Sequence, residues 1–377
     1  MTVRRIAKYL TAAAVALSLH SCGGSDTPVT PPQKVEDVTL ELEISLAEYP
    51  SSHTRAFSPT DDNTFEGPAS DFEKIRTLRV VIVRNGDDDT KGIVEHNRLV
   101  MVNPSTGDIL DDNLRFRVSS GEKKRIWIFA NEAAVPYDFD AISEGSPFPA
   151  DEVADIRLSR LPNSALIDNS PASSVRRYIP MSEVFDVDVP KPQGTGDFFR
   201  LEHLFIVRSS VKFSFCITAD DDYPESGVSV TGIKVYGLAD SGWFMPRNTV
   251  YDPAKGTPSA NPLHGRYITS FETPDDAGWS DYDFGGFPPV EIKTGTDQSI
   301  TPYIYFPESK RQGNRPFMVS VVLDDNSEFL SPLPLDIMEI PRNTHVKVNI
   351  RMTSTGISPE VVLLPYTGVF LDPEFGI

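Results

Sequence analysis

Cysteine is nearly absent from this chain: Cys22 and Cys216 are the two cysteines among 377 residues. If Cys22 carries a lipid, Cys216 has no partner in the chain, and no disulfide framework can form. Cys216 falls on the opposite face from Phe213 and Phe215 in an alternating stretch. This favours a partly shielded structural thiol over a reactive one. Stability must therefore come from hydrophobic cores and from assembly.

Basic residues are also in the minority. The chain has 35 Lys and Arg and 54 Asp and Glu, and its formal net charge is -19. A phosphate-binding surface needs the opposite balance, which makes nucleic acid and anionic lipid headgroups poor partners for this chain. Uninterrupted helical stretches are missing too, since 32 prolines and 24 glycines punctuate the sequence. Short strands separated by turns are what such a composition favours.

Catalytic motifs are lacking as well. The sequence contains no H-E-x-x-H, no G-x-S-x-G, no phosphate-binding loop and no paired C-x-x-C, and its six histidines are scattered singly. We therefore expect no enzyme, no cofactor and no dedicated metal site. Three acidic turns, at 87–89, 220–222 and 324–326, lack the alternating spacing of a calcium loop, and whether any of them binds a cation is left open.

The N-terminus has the features of a lipoprotein signal peptide. Arg4, Arg5 and Lys8 precede an apolar stretch at 10–19, which is too short to span a bilayer. Ser21 and Cys22 then resemble the end of a lipobox, although His20 is unusual there; an ordinary signal peptide followed by a chance cysteine is the alternative. We predict a signal peptide at 1–21, lipid on Cys22 and a flexible tether at 22–35.

The clearest strand of the sequence follows the tether. Five apolar residues alternate strictly with polar ones, which predicts a half-buried strand: Val38, Leu40, Leu42, Ile44 and Leu46. Further strands are predicted between turn clusters at 75–83, 98–102, 114–118, 125–130, 211–217, 228–236, 300–306, 317–323, 345–352 and 361–364, with one short helix at 151–158. This pattern predicts an all-β fold of two β-sandwich domains, 36–198 and 199–377, that meet at a junction at 197–201.

Several short segments, in order along the chain, resemble the fimbrillins, the type V pilins of the FimA-like and Mfa-like family of anaerobic Gram-negative bacteria. They are the lipobox at Cys22, Arg55-Ala56-Phe57, the strand at 124–131 ending in Ala-Asn, Ile179-Pro180-Met181-Ser182, Tyr305-Phe306-Pro307-Glu308 and the segment 341–348. The resemblance implies two transthyretin-like β-sandwich domains. It also implies a structural subunit of a cell-surface fimbria that supports adhesion, from a precursor anchored to the outer membrane by lipid.

The resemblance further implies how the subunit assembles. An arginine-specific surface protease would cut between Arg55 and Ala56, releasing the strand of residues 38–46, and a strand from another copy or a related subunit would replace it. The tail at 357–377 is the expected donor strand, with four apolar residues on two alternating pieces: Val361, Leu363, Val369 and Leu371. The alternative is that this tail is the last strand of its own domain.

Two other functions stay open at this level. An anchor subunit would keep the lipid and escape cutting, and a tip subunit would accept a donor strand but give none. A different class is a surface glycan-binding lipoprotein, in which Trp127, Trp243 and Trp279 would stack against sugars. Three tryptophans so far apart in sequence are more typical of core or rim positions.

Overall fold

The computed structural model of the chain describes residues 36–46, 71–86, 89–103, 114–159, 178–192, 198–223, 227–247, 271–275 and 277–365. Cys22, Arg55, Ala56, Val369 and Leu371 lie outside these ranges. Strands dominate the described part, and the helices are single turns, so the predicted all-β class is confirmed. No helix in these ranges is long and apolar enough to cross a membrane.

The first half of the chain forms one seven-stranded sheet in the order β3-β2-β5-β7-β8-β1-β4. Its strands, with the separate strand β6, are β1 (Asp37–Leu46), β2 (Thr77–Arg84), β3 (Val94–Met101), β4 (Arg115–Ser119), β5 (Glu122–Ala130), β6 (Arg157–Ser159), β7 (Met181–Val189) and β8 (Phe198–Arg208). The helical pieces are α1 (Ala150–Ala154) and the 3-10 turns Asp71–Glu73, Glu132–Ala134 and Phe139–Ala141.

The sheet curls around a single apolar core, so that its two edge strands face each other. His96 of β3 lies 2.7 Å from the carbonyl oxygen of Arg117 in β4, and its ring packs against Phe116. The inward side chains of β1 belong to this core together with those of β2, β4, β5 and β8.

The second half forms two four-stranded sheets, β12-β10-β15-β16 and β13-β9-β18-β19, whose apolar faces share a second core. The strands of this half are β9 (Val211–Ala219), β10 (Ser229–Ala239), β11 (Ser241–Trp243), β12 (Trp279–Glu291), β13 (Gln298–Phe306), β14 (Ser309–Lys310), β15 (Met318–Leu323), β16 (Glu328–Pro332), β17 (Glu339–Ile340), β18 (Thr344–Thr353) and β19 (Gly356–Pro365). Two sheets closed over one core are the architecture of a β-sandwich.

Two details differ from the sequence-based expectation. The predicted helix at 151–158 ends at Ala154, because the following residues, Arg157–Ser159, pair as a strand with Ser241–Trp243 of the second half. The expected junction at 197–201 is instead the start of β8, which pairs with β1 and β7. The first sheet therefore continues to Arg208, ten residues beyond the predicted domain boundary at 198.

A third apolar cluster joins the two halves. Trp127, Phe129 and Phe139 from the first half pack in it with Phe244 and Tyr305 from the second. The Phe129 and Phe244 ring centroids are 5.6 Å apart, a normal spacing for an aromatic pair. This cluster, with the β6–β11 pair, makes residues of both halves part of one continuous packed structure.

Candidate functional site

The first strand, β1, lies inside the seven-stranded sheet and not at its edge. It pairs antiparallel with β4, from Asp37 opposite Ser119 to Glu41 opposite Arg115. On its other side it pairs in parallel with β8, from Thr39 to Leu46. Removing β1 would therefore leave β4 and β8 each with an unpaired edge, and such edges readily accept another strand.

The inward side of β1 is fully buried, as its alternating sequence predicts. Val38 is 3% exposed, and Leu40, Leu42 and Ile44 are 0% exposed. Burial of a side chain of this size contributes roughly 1.5–3 kcal/mol, so these four contribute about 6–12 kcal/mol in gross terms. A whole domain is stable by only about 5–15 kcal/mol. The space that β1 fills is thus an apolar slot whose occupancy decides whether the sheet is stable. Leu46 ends the strand opposite Ile206.

The outward side of β1 carries three carboxylates that face arginines of the neighbouring strands. Glu41 Oε2 accepts a hydrogen bond from Arg115 Nε at 2.7 Å, and Glu43 Oε2 accepts one from Arg200 Nη2 at 3.0 Å. Arg200 Nε also lies 3.9 Å from Glu41 Oε1. Near the start of the strand, Arg117 Nε is 3.5 Å from Asp37 Oδ2.

Sequence reasoning missed these arginines. A signal was available, because Arg115 and Arg117 alternate with Phe116 and Val118 just as the carboxylates of β1 alternate with its leucines. The alternation predicts that one face of each strand is apolar and the other charged. What the sequence could not supply is that β4 and β1, more than seventy residues apart, are neighbours.

The tail does not stand free over the part that the structure describes. Residues of β19 pair with β18 on ten rungs, from Thr353 opposite Gly356 to Thr344 opposite Pro365. Val361 is buried in the second core, and Leu363 lies opposite Val346. Residues 356–365 therefore form the last strand of their own domain, which is the alternative that the sequence left open.

The tryptophans do not form an exposed platform. Trp127 and Trp243 are buried, and Trp279 is half-buried at the start of β12. Two guanidinium groups lie over the Trp243 ring, with Arg247 at 3.5 Å and Arg157 at 4.9 Å from its centroid. These contacts occupy the ring faces that a sugar would need.

The acidic turns in the described part of the chain are engaged in protein contacts. Asp220 accepts a hydrogen bond from Arg351 at 2.9 Å, Asp222 accepts one from Ser354 at 2.9 Å, and Asp325 accepts one from the amide of Ser327 at 2.7 Å. Among the described residues, no group of His, Cys, Asp and Glu side chains is arranged to hold a metal ion. Asp87 and Asp88 are outside the described ranges.

No protein-family model matches the chain, and no curated protein matches it. Solved structures are similar to it in fold. One is a candidate cell adhesion protein from Parabacteroides distasonis, 14% identical, with a TM-score of 0.49 over 89% of this chain and 98% of its own. A second is the tip fimbrial protein Mfa3 from Porphyromonas gingivalis with a C-terminal truncation, 12% identical, with a TM-score of 0.47 over 87% of this chain and 99% of its own.

A third is a fimbrial assembly protein from Parabacteroides distasonis, 12% identical, with a TM-score of 0.40 over 87% of this chain and 98% of its own. These proteins are named as adhesion and fimbrial proteins. At such low identity the similarity concerns the fold and not individual site residues.

Proposed function

We propose that this protein is a structural subunit of a cell-surface fimbria, which supports adhesion and assembles by exchange of a β-strand. Its role is mechanical and not catalytic. The observation that carries the proposal is the position of β1: a strictly alternating strand with a fully buried inward side lies between β8 and β4, close to the beginning of the chain. A strand in that position can be removed by one cut and replaced from outside without rearranging the others.

The maturation steps belong to the same proposal. Cys22 carries lipid and anchors the precursor to the outer membrane. An arginine-specific surface protease then cuts between Arg55 and Ala56, nine residues after the end of β1 at Leu46. The cut chain loses β1, and a strand from another copy or a related subunit enters the slot. Main-chain hydrogen bonds to β4 and β8 give affinity, and inward side chains set the register.

An Arg55→Ala variant tests this sequence of events. We expect the wild-type protein at the cell surface to begin at Ala56 and to form polymers, and the variant to remain lipidated, uncut and monomeric. N-terminal sequencing, intact mass and size-exclusion chromatography of surface protein measure these outcomes. An intact Cys22-lipidated chain as the main wild-type species would contradict strand exchange and favour an anchor subunit.

A tip subunit is the second candidate, and β19 favours it. A tip accepts a strand but does not donate one, and residues 356–365 are committed to their own sheet through β18. If the protein is a shaft subunit, the donor is restricted to the part of the tail after Pro365, which includes Val369 and Leu371. Capping of preformed polymers without further growth distinguishes a tip from a shaft subunit.

A further inference from the structure

The charged side of the slot points to a specific kind of incoming strand. Glu41 stands on the same rung as Arg115 in β4 and Arg200 in β8, so a guanidinium flanks it on both sides. Its own side chain is only 5% exposed. The register of the three strands therefore places the Glu41 carboxylate between two arginines.

The charges of the whole chain make this arrangement informative. The protein is strongly acidic, with a net charge of -19, yet each of the three acidic residues of β1 faces an arginine of a flanking strand. Loss of β1 removes Asp37, Glu41 and Glu43 together. The vacated slot is then lined by apolar side chains on its inward side. On its outward side, the arginines of β4 and β8 no longer face the carboxylates of β1.

An incoming strand without carboxylates would cover Arg115 and Arg200 without replacing those ion pairs. Covering a cation while removing its partner is unfavourable, whereas supplying a carboxylate at the same rung restores a charge-assisted hydrogen bond. Charge complementarity across such a surface gives specificity and faster association more than raw affinity.

We propose that the slot selects a donor strand that bears carboxylates at two consecutive outward positions, matching Glu41 and Glu43, in addition to apolar residues at the inward positions. This inference rests on the proposed function, and it states which donor is accepted. When Val369 and Leu371 face inward, the outward residues of the tail are Phe370, Asp372 and Glu374, and the last two offer carboxylates at consecutive outward positions.

Strand replacement in the full chain tests the proposal. A specific protease site is inserted after Arg55, the purified protein is cut, and excess fluorescein-labelled peptide is added while anisotropy reports its binding. One peptide has the sequence of residues 36–46, and a second carries Glu41→Gln and Glu43→Gln. A third carries Leu40→Asp and Leu42→Asp.

We expect the unaltered peptide of residues 36–46, the acidic peptide, to bind about two- to thirtyfold more tightly than its Gln counterpart, the effect of two ion pairs whose arginines are partly exposed. The ratio of the two peptide affinities falls toward one in 0.5 M salt and in an Arg115→Gln/Arg200→Gln protein. It is unchanged in the control Arg351→Gln, which removes an exposed arginine of β18 far along the chain.

Failure of the inference and failure of the proposed function give different results. Equal binding of the acidic and Gln peptides overturns the charge selection and leaves strand exchange standing. If neither peptide with intact apolar positions binds, or the Leu→Asp peptide binds equally well, strand exchange itself is contradicted. As a second variant pair, Arg115→Glu/Arg200→Glu protein, checked for folding by circular dichroism, prefers a Glu41→Lys/Glu43→Lys peptide. Preference for the acidic peptide there overturns the inference.

Discussion

Tyr305 and Glu73, separated by 232 residues in sequence, are joined by a buried hydrogen bond of 2.7 Å from the phenol to Glu73 Oε1. The same oxygen lies 3.0 Å from Lys212 Nζ. All three side chains are largely or fully buried. Glu73 belongs to the segment that follows β1 in the described chain, and the other two belong to the second half. The Glu73 carboxylate therefore links the first half of the chain to the second.

Glu73→Ala should destabilise the protein by about 3–5 kcal/mol, because it leaves a buried lysine without this counter-charge. Tyr305→Phe removes one hydrogen bond while Glu73 and Lys212 remain, and should lower the free energy of unfolding by about 1 kcal/mol. Urea unfolding followed by circular dichroism measures both. Glu291→Ala, which breaks an exposed pair with Lys293, is the control and should change stability by less than about 0.5 kcal/mol. An equally small change in Glu73→Ala would contradict this account.

A second prediction concerns acid. Burial alone would raise the pKa of Glu122, but hydrogen bonds from Arg84 and Lys124 and the charge of Lys124 outweigh it and lower the pKa from 4.5 to about 2. Arg84 donates to both oxygens at 2.8 Å, and the fully buried Lys124 donates to Oε1 at 2.5 Å. A depressed folded-state pKa stabilises the protein above the unfolded-state pKa, and that contribution is lost as the pH falls toward the folded-state value.

Glu122→Gln should therefore be less stable than the wild-type protein at pH 7, and the difference in unfolding free energy should shrink as the pH falls below about 4.5. Urea titrations at half-unit intervals from pH 7 to pH 3 measure this difference. A difference that stays constant or grows over that interval would mean that the ion pairs of Glu122 do not stabilise the fold.

A third prediction separates the fimbrial role from glycan binding. Trp127 is buried, and its ring packs 4.8 Å from Phe148 in the aromatic cluster that joins the halves. Truncation to alanine should lower stability by about 3–5 kcal/mol, as loss of a core aromatic does. Trp279→Ala, at a half-buried position, should have a smaller effect. Unchanged thermal stability of Trp127→Ala together with lost binding to a glycan array would support the sugar-binding alternative.

The sequence predicted the elements whose alternation is regular. The inward residues of β1 from Val38 to Ile44 are buried as expected. The strand β12 was missed because Gly285, Gly286, Pro288 and Pro289 occur within it, and such residues normally mark turns. In β7, the alternation of Phe185, Val187 and Val189 was a signal that the sequence-based prediction overlooked. The start of β8 was predicted as a junction because a Pro- and Gly-rich segment precedes it.

The segments that resemble fimbrillins prove to be contact partners, which no local pattern could reveal. Asn131, which ends the segment at 124–131, donates to the carbonyl of Ile179 at 2.9 Å. Arg342, from the segment at 341–348, pairs with Glu308 at 2.5 Å, and both are almost completely buried. Arg342 also donates to the carbonyl of Phe244 at 2.9 Å, which accepts from Ser182 at 2.7 Å. These contacts depend on the three-dimensional meeting of distant segments.

The last prediction concerns how much of the tail can be deleted without destabilising the fold. Deletion of residues 357–377 removes nearly all of β19, including its pairing with β18 and the buried Val361. The loss of one strand and one core side chain should destabilise or unfold the second sandwich, since leaving a cavity in place of a side chain typically costs about 1–4 kcal/mol and the hairpin is lost as well. Deletion of residues 366–377 keeps every described pairing of β19.

We therefore expect the 366–377 deletion to fold with wild-type thermal stability and, after cutting at Arg55, to accept a donor strand but not to extend a polymer. The 357–377 deletion should be poorly folded in circular dichroism and should bind exposed-surface dyes. Replacing Val369 and Leu371 by Asp in the full-length chain should reproduce the shorter deletion, because an unpaired carboxylate is unfavourable in an apolar slot. Normal polymers formed by the shorter deletion would show that the tail is no donor, and the protein would then act as a tip or use another strand.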